Sequence, residues 1–301
     1  MDNSMKNLSS LVLVVLVLVV IWGSPADAQT NFTTSPGAAV QAGRQVDVHV
    51  PAAGEIQRLT LSDGSQIFGQ VESIEPDSLV FRSVAGVVIT VPQTNIADLR
   101  IVSGTIVAGE FLTEDSHNTR LMFAPTARSL RRGEGYVGFY YVLPFVQVGL
   151  TDRLSLGAGS PLIFTGDAHP VWFTPKLQLI ARKNAQVAAG VIHITGVEDL
   201  NAGIAYGVTT LGSDNKAATI GLGYAYSGDN RSAILMIGGE HRSSRRIKWI
   251  TENWFWRGSA RGFVSGGVRF LGERLSADLS LVVPLVDETV VFPVVSFAWS
   301  F

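Results

Sequence analysis

No cysteine occurs in the 301 residues, which removes disulfides, thiolate metal sites and thiol nucleophiles at once. Charge is scarce as well: Asp, Glu, Lys and Arg make up 16% of the chain and leave a formal net charge of −2. That balance offers no basic surface for nucleic acid and no self-repulsion to keep the chain open. After the N-terminus, no uninterrupted apolar run approaches the roughly 20 residues of a membrane helix. Catalytic motifs are missing too. No Gly-x-Ser-x-Gly occurs, and His49, His117, His169, His193 and His241 fall in separate segments without the i, i+4 spacing of a helical metal site. Gly133-Glu134-Gly135-Tyr136-Val137-Gly138 matches a dinucleotide-type glycine pattern, but Phe139-Tyr140-Tyr141 continues it as a strand, so it reads as a turn. No cofactor, metal or enzymatic activity is expected. What is abundant is apolar residue, 47%, together with 31 glycines. These describe a β-rich chain with an apolar exterior.

Residues 1–28 read as a secretory signal. Lys6 precedes the apolar run Leu11 to Trp22, and Pro25 introduces Ala26-Asp27-Ala28, the small-x-small pattern of a cleavage site. A membrane anchor is the competing reading, but the run is shorter than a spanning helix requires. Residues 29–54 read as an extended lead-in containing one strand-like patch, Val46 to Val50.

Residues 55–103 change to short β runs. Leu59-Thr60-Leu61 and Gln66-Ile67-Phe68 flank Asp63-Gly64, a strong hairpin signal. Ser78 to Val84, Val87 to Val91 and Ile96 to Ile101 bring the expected count to about five strands. The pattern Leu-Thr-Leu-x-Asp-Gly-x-x-Ile-x-Gly-x-Val, followed by Ser-Leu-Val-Phe and Ile-Thr-Val-Pro, resembles the Sm-like small β-barrel over about a sixth of the chain. Members of that fold often bind RNA or assemble as rings. This copy lacks a basic cluster and reads as exported, so the resemblance implies a docking or assembly module with a protein partner, or a bare structural domain. Residues 104–118, with Glu110, Glu114, Asp115, His117 and Asn118, read as a polar linker.

Residues 119–301 settle into segments of about ten alternating residues separated by turn chemistry, the rhythm of a transmembrane antiparallel up-and-down β-barrel. Candidate strands fall at 119–128, 135–149, 153–162, 170–182, 186–195, 199–211, 215–226, 231–242, 246–256, 260–271, 274–285 and 289–301. That count of about twelve is even, as bacterial barrels require. Leu200, Ala202, Ile204, Tyr206 and Val208 share one face, and Ile220, Leu222, Tyr224 and Tyr226 share another. Both are read as lipid-facing, with the Gly, Ala, Ser and Thr faces inward. Tyr136, Tyr140, Tyr141, Trp172, Tyr206, Tyr226, Trp254 and Trp256 lie near strand ends and read as interfacial girdles. The last segment places Phe297, Trp299 and Phe301 on one face. It resembles the terminal strand of bacterial outer-membrane barrel proteins. The resemblance implies capture by the barrel-insertion machinery through strand addition, location in the outer membrane among its lipids, and a periplasmic N-terminal module.

A charge facing lipid at the midplane costs about 2–4 kcal/mol and should turn inward. Lys176, Glu240, Lys248, Glu252, Arg269 and Asp278 occupy the polar parity of their strands and are the expected lumen-facing charges. A turn at Ser243-Ser244 would set Glu240 opposite Lys248. Two basic clusters are candidates for contact with anionic lipid headgroups: Arg128, Arg131 and Arg132 at an outer turn, and Arg242, Arg245 and Arg246 at a periplasmic turn. Solvated turns are the alternative. Three functions stand open: a small pore or transport channel, a non-conducting structural or assembly protein, and, with the least support, an outer-membrane lipid hydrolase using a paired Ser and His.

Overall fold

The computed structural model describes residues 50–301, except 53, 103, 108, 163–169, 198–199, 229, 258–260 and 287–289. The signal expected over 1–28 and nearly all of the lead-in lie outside the described residues, as do His49 and His169. The chain forms two compact units that meet in sequence between Glu114 and Asp115.

The first unit is an antiparallel sheet of five strands: β1 (Ile56–Leu61), β2 (Gln66–Ile74), β3 (Ser78–Ser83), β4 (Val88–Pro92) and β5 (Ile96–Val102). Their order is β4-β3-β2-β1-β5, so neighbours in sequence pair and β5 returns to β1. The Asp63-Gly64 turn forms as its residues dictate. Gly64 takes φ 86° and Ser65 N donates to Asp63 Oδ1 at 2.8 Å. Leu59, Val71, Leu79, Phe81, Val91, Ile96 and Leu99 form the core. The segment expected as a linker holds a separate hairpin, β6 (Gly104–Val107) and β7 (Glu110–Thr113), and its Phe111 stacks on Phe68 with ring centroids 4.9 Å apart.

The second unit is a closed antiparallel barrel. Its strands are β8 (Gly135–Tyr140), β9 (Leu143–Gly149), β10 (Leu154–Gly159), β11 (Val171–Phe173), β12 (Lys176–Arg182), β13 (Ala185–Val197), β14 (Leu200–Ser213), β15 (Lys216–Ser227), β16 (Asn230–Arg242), β17 (Ile247–Trp256), β18 (Gly262–Leu271), β19 (Leu275–Pro284) and β20 (Phe292–Ser300). β20 pairs with β8, β8 with β9 and β9 with β10, which closes the ring. β11 and β12 are one strand interrupted at Thr174-Pro175, since proline cannot donate to the ladder. Counted so, the barrel has twelve strands.

That number matches expectation through two offsetting differences. Residues 119–128 are not a wall strand, and 135–149 is two strands joined at Tyr141, which takes φ 52°, and Val142. The β16–β17 register also differs from expectation. Arg242 faces Lys248 and Glu240 faces Ile250, because the turn is centred on Arg245 rather than on the serines.

Strand parity gives two faces but not which one is inside. In β15 and β19 the large residues face outward as expected: Leu222 is 68% exposed and Leu281 54%, while Gly221, Ala225, Ser276 and Asp278 are buried. β14 is the reverse of expectation. Tyr206 and Val208 are buried inside, and Ala205 and Gly207 face out. The reason is packing within the barrel. Tyr206 lies across Gly190, where a Cβ would stand 2.7 Å from Tyr206 Cζ, and Val208 joins the interior apolar cluster. Tyr136 and Trp254 are also buried inside and Trp172 lines an interior cavity, so the girdle reading fails for them. The outward aromatics at the end carrying Gly135 and Ser300 are Trp249, Phe270, Trp299 and Phe301; Tyr141, Phe173 and Tyr224 lie toward the other end.

Gly135 and Ser300 share one barrel end, and the connections there are short, such as Lys183-Asn184 and Asp214-Asn215. Both basic clusters lie at this end, not at opposite ends as expected: Arg132 N donates to Asp152 Oδ1 in the β9–β10 turn, and Arg242 to Arg246 form the β16–β17 turn.

Candidate functional site

Residues 115–130 fold into the barrel interior. Asp115, His117, Thr119, Leu121, Met122, Thr126 and Ala127 are each at most 3% exposed. The segment doubles back as a small hairpin: Thr126 N donates to Thr119 O at 3.0 Å, Leu121 N donates to Ala124 O at 2.8 Å, and Arg120 bridges to Pro125. Met122 and Phe123 form its tip. Pro125 stands in the middle of this apolar run and lacks the N–H that the interior of a central strand supplies, whereas the wall prolines Pro144 and Pro293 sit one residue from the starts of β9 and β20. Leu121, Met122, Ala124 and Ala127 pack against Val208, Ile234, Met236, Ile250, Trp254, Phe263, Val282 and Val294. Gly238 makes room for Leu121, whose Cδ1 a Cβ there would strike.

Backbone enclosed in this way must find its hydrogen bonds on the wall. Glu252 Oε2 accepts from both tip amides, Met122 N at 2.8 Å and Phe123 N at 2.9 Å, and Glu252 Oε1 accepts from Trp254 Nε1 at 2.7 Å. Lys176 Nζ donates to Thr119 O at 2.9 Å and Thr126 O at 3.1 Å, spanning the two arms of the hairpin. Gln178 Nε2 donates to Ala127 O at 2.8 Å, and Thr210 Oγ1 accepts from Ala127 N at 2.9 Å. Arg269 donates to His117 O at 3.0 Å and Leu121 O at 2.5 Å.

The charges form one connected set. Arg269 Nε and Nη2 hold both oxygens of Asp278, at 2.7 and 3.1 Å, and Arg269 Nη1 lies 3.4 Å from Asp115 Oδ2. Lys248 Nζ bonds Asp115 Oδ2 at 2.6 Å and Glu240 Oε2 at 3.1 Å. Arg128 bonds Glu240 as well, and its Nε lies 3.2 Å from Asp214 Oδ1. Arg120 Nη1 reaches Asp278 Oδ2 at 3.1 Å. Thus Lys176, Glu240, Lys248, Glu252, Arg269 and Asp278 all sit inside the barrel, none more than 4% exposed, and every one bonds the inserted segment or a neighbour that does.

Asp115, Arg120 and Arg128 complete this set and were not expected in it. The residue order hid them: a run read as wall strand places Arg128 at a turn. The signal that marks them is Pro125 within the apolar stretch. Arg128, 5% exposed and paired with Glu240, is spent inside and does not reach a lipid surface. Arg242, 8% exposed, donates to Ser244 O at 3.1 Å and Arg245 O at 2.5 Å within its own turn. Arg131, Arg132 and Arg246 are exposed, and Arg245 is half-buried.

A Ser and His do meet. Ser300 Oγ lies 3.1 Å from His117 Nε2, but the other ring nitrogen faces Ser116 Oγ at 3.4 Å rather than a carboxylate, and Asp115 is engaged by Lys248 and Arg269. The ring is 1% exposed. Without an acid to orient the imidazole, the pair lacks the third member of a hydrolytic triad. Among the described residues no group of three or more His, Asp or Glu side chains is placed to hold a metal ion.

Fold and site together define an all-β protein: a closed twelve-stranded antiparallel barrel whose interior is filled by its own preceding segment. Its structure is similar to outer-membrane porins and transport channels. A KdgM porin shares 7% identity over 56% of this chain and 98% of that one, at a TM-score of 0.44. The toluene transporter TbuX of Ralstonia pickettii shares 10% over 82% and 87%, at 0.39, and Salmonella typhi OmpF in complex with daunomycin shares 10% over 82% and 96%, at 0.35. No family model and no curated protein matches the sequence.

Proposed function

We propose that this chain is a bacterial outer-membrane barrel held closed at rest by residues 115–130, and that it serves as a small transport channel when that segment shifts. The observation that carries the reading is the use of Glu252 and Lys176: both point into the lumen and both are bonded to the inserted hairpin, which therefore occupies the lumen at their level. The outer face supports the membrane setting. Leu156, Leu177, Ile180, Ile220, Leu222, Ile237, Leu279 and Leu281, on five of the wall strands, are 37–68% exposed, an apolar outer face of the kind that meets lipid. The strands β13 to β20 have 9 to 14 residues, enough to cross a bilayer. Short turns at the end carrying Gly135 and Ser300 fit the periplasmic side. The five-stranded unit then acts as an Sm-like docking module there.

A second reading, a non-conducting assembly protein, is favoured by the depth of the Arg269–Asp278–Asp115–Lys248 set. Conductance separates the two. In this cysteine-free chain, Met122→Cys and Ser265→Cys place one thiol on the hairpin tip and one on the wall, at positions whose present side chains, Met122 Sδ and Ser265 Oγ, stand 3.9 Å apart. A channel should show rare openings in planar bilayers, more of them after Glu252→Ala, and none once the two thiols are bridged by a bifunctional reagent. Silence in all three preparations, with folding shown by heat-modifiable mobility, supports the non-conducting role.

A further inference from the structure

The outer wall carries an open groove of about 600 Å3 across β14 to β17, at the barrel end where the turns are short. Two rows of residues on the outward parity build it. Lys216, His241 and Trp249 stand side by side on β15, β16 and β17, close to the ends of their strands. All three are exposed, Trp249 by 55%. Two residues further along each strand, about 7 Å, the matching row is Ala218, Gly239 and Thr251. Leu211, which pairs with Ala218, forms the far side.

The hollow is not imposed by packing of the wall. At Gly221 and Gly238 a Cβ would strike Met236 and Leu121 inside the barrel. At Gly239 it would stand 3.4 Å from Ala217 O and 3.9 Å from Thr251 Cγ2, which are ordinary contacts, and φ there is not positive. A larger residue would fit and would fill the groove, so this glycine weakens its strand with no compensating contact inside the protein.

Lys216 and His241 line the groove, and neither side chain makes a hydrogen bond or ion pair among the described residues. The turn joining β16 to β17 adds Arg246, also exposed. Neighbouring carboxylates do not cancel these charges. Glu240 borders the groove, but its carboxylate lies inside the barrel on Lys248 and Arg128. Asp214, two residues before Lys216, lies 3.2 Å from Arg128 Nε and accepts from Asn118. Counting Asp214 with the enclosed set balances it, Arg120, Arg128, Lys176, Lys248 and Arg269 against Asp115, Asp214, Glu240, Glu252 and Asp278, so Lys216 and Arg246 stand outside it. The turn between β18 and β19 carries both Glu273 and Arg274 and is neutral.

An amphiphile with an anionic head at the first row and a chain over the second matches this surface. Trp249 sets the level, because Trp favours the boundary between hydrocarbon and headgroups. A second copy of the chain matches it poorly, since a two-fold interface would bring Lys216 and Arg246 against their own copies.

We propose that Lys216, His241 and Trp249, with the hollow over Gly239, form a binding site for one anionic phospholipid of the periplasmic leaflet. Its phosphate lies on Lys216 and His241 and one acyl chain crosses Ala218 and Gly239. The site rests on the outer-membrane reading above and on the short turns being periplasmic.

The test uses the full chain in detergent micelles with added phosphatidylglycerol or phosphatidylcholine, read by native mass spectrometry, which also reports the oligomeric state. One phosphatidylglycerol per chain should be retained, about tenfold more tightly than phosphatidylcholine. Lys216→Gln with His241→Gln should remove that preference. Gly239→Leu fills the hollow with both polar side chains intact and should remove most of the binding. Arg182→Gln, at the same barrel end but on β12, should leave retention unchanged, and glycerol phosphate, the head without chains, should not displace the lipid. Equal retention of both lipids, displacement by glycerol phosphate, equal loss with Arg182→Gln, unchanged retention in folded Gly239→Leu, or a dimer that Gly239→Leu dissolves overturns the proposal. Those outcomes remove the site alone. A chain soluble without detergent removes the membrane reading and the site together.

Discussion

Arg269 and Asp278 face each other across β18 and β19, and the guanidinium grips the carboxylate with two bonds, at 2.7 and 3.1 Å, with both residues enclosed. Removing one charge from such a pair strands the other in a low-dielectric interior, at a cost of about 3–5 kcal/mol. Arg269→Met should therefore lower the heat-modifiable transition of the folded barrel by that amount. Arg269→Met with Asp278→Leu should recover part of the loss, though less than for an isolated pair, because Arg120 and Ser296 also bond Asp278. A double variant no better than the worse single one would show that the pair does not act as a unit.

Glu252 holds the hairpin tip through two amides on one oxygen. Glu252→Ala leaves Met122 N and Phe123 N enclosed without that acceptor, at about 1–3 kcal/mol for each unsatisfied group. The tip should loosen before the wall does. In a Met122→Cys background, labelling by a water-soluble thiol reagent should be slow and should accelerate more than about tenfold with Glu252→Ala, while the barrel keeps its heat-modifiable mobility. Equal labelling rates with and without Glu252 would show that the tip is held by packing alone.

The wall was legible in the sequence because a period of two with turn residues between runs is a local property, and lumen charges follow from parity once one face is assigned to lipid. The inserted hairpin was not. Arg120 to Ala127 carries the same apolar content as a strand, and the one local mark against it is a proline, Pro125, in the middle of the run. The same limit reversed β14. Tyr206 and Val208 look like lipid-facing residues until the hairpin supplies an apolar surface for them inside, and only long-range contacts reveal that surface. The Glu240–Lys248 contact was anticipated from a register two residues out; the side chains still meet at 3.1 Å because the diagonal lies within their reach.

In the five-stranded unit, Asp98 lies between Arg100 at 2.6 Å and Arg58 at 3.1 Å. Partial burial pushes its carboxyl up, but the two guanidiniums outweigh this and hold it below the ordinary aspartate value. A lowered folded pKa contributes stability that is present above the unfolded value, about 3.9, and is lost as pH falls through the folded value. A carbon-13 titration of the Asp98 side chain in the full protein should give a midpoint below that of an ordinary aspartate, and Arg100→Gln should raise it. The pair is partly solvated, so Asp98→Asn should cost less than about 1 kcal/mol at neutral pH. A midpoint unmoved by Arg100→Gln would assign the depression to Arg58 alone.

Leu222 stands near the middle of β15, is 68% exposed on the outer face, and separates the membrane reading from any soluble one. In lipid, Leu222→Arg places a charge near the bilayer midplane and should cost about 2–4 kcal/mol of folding stability in vesicles. Gly221, its neighbour on the buried face, provides the contrast: a Cβ there would approach Met236 inside the barrel, so Gly221→Ala should destabilise by crowding whatever surrounds the protein. In detergent micelles, which deform around a charge, the arginine should cost less than in vesicles while the alanine costs the same. If Leu222→Arg were neutral in vesicles, or raised solubility without detergent, the apolar outer face would meet something other than lipid.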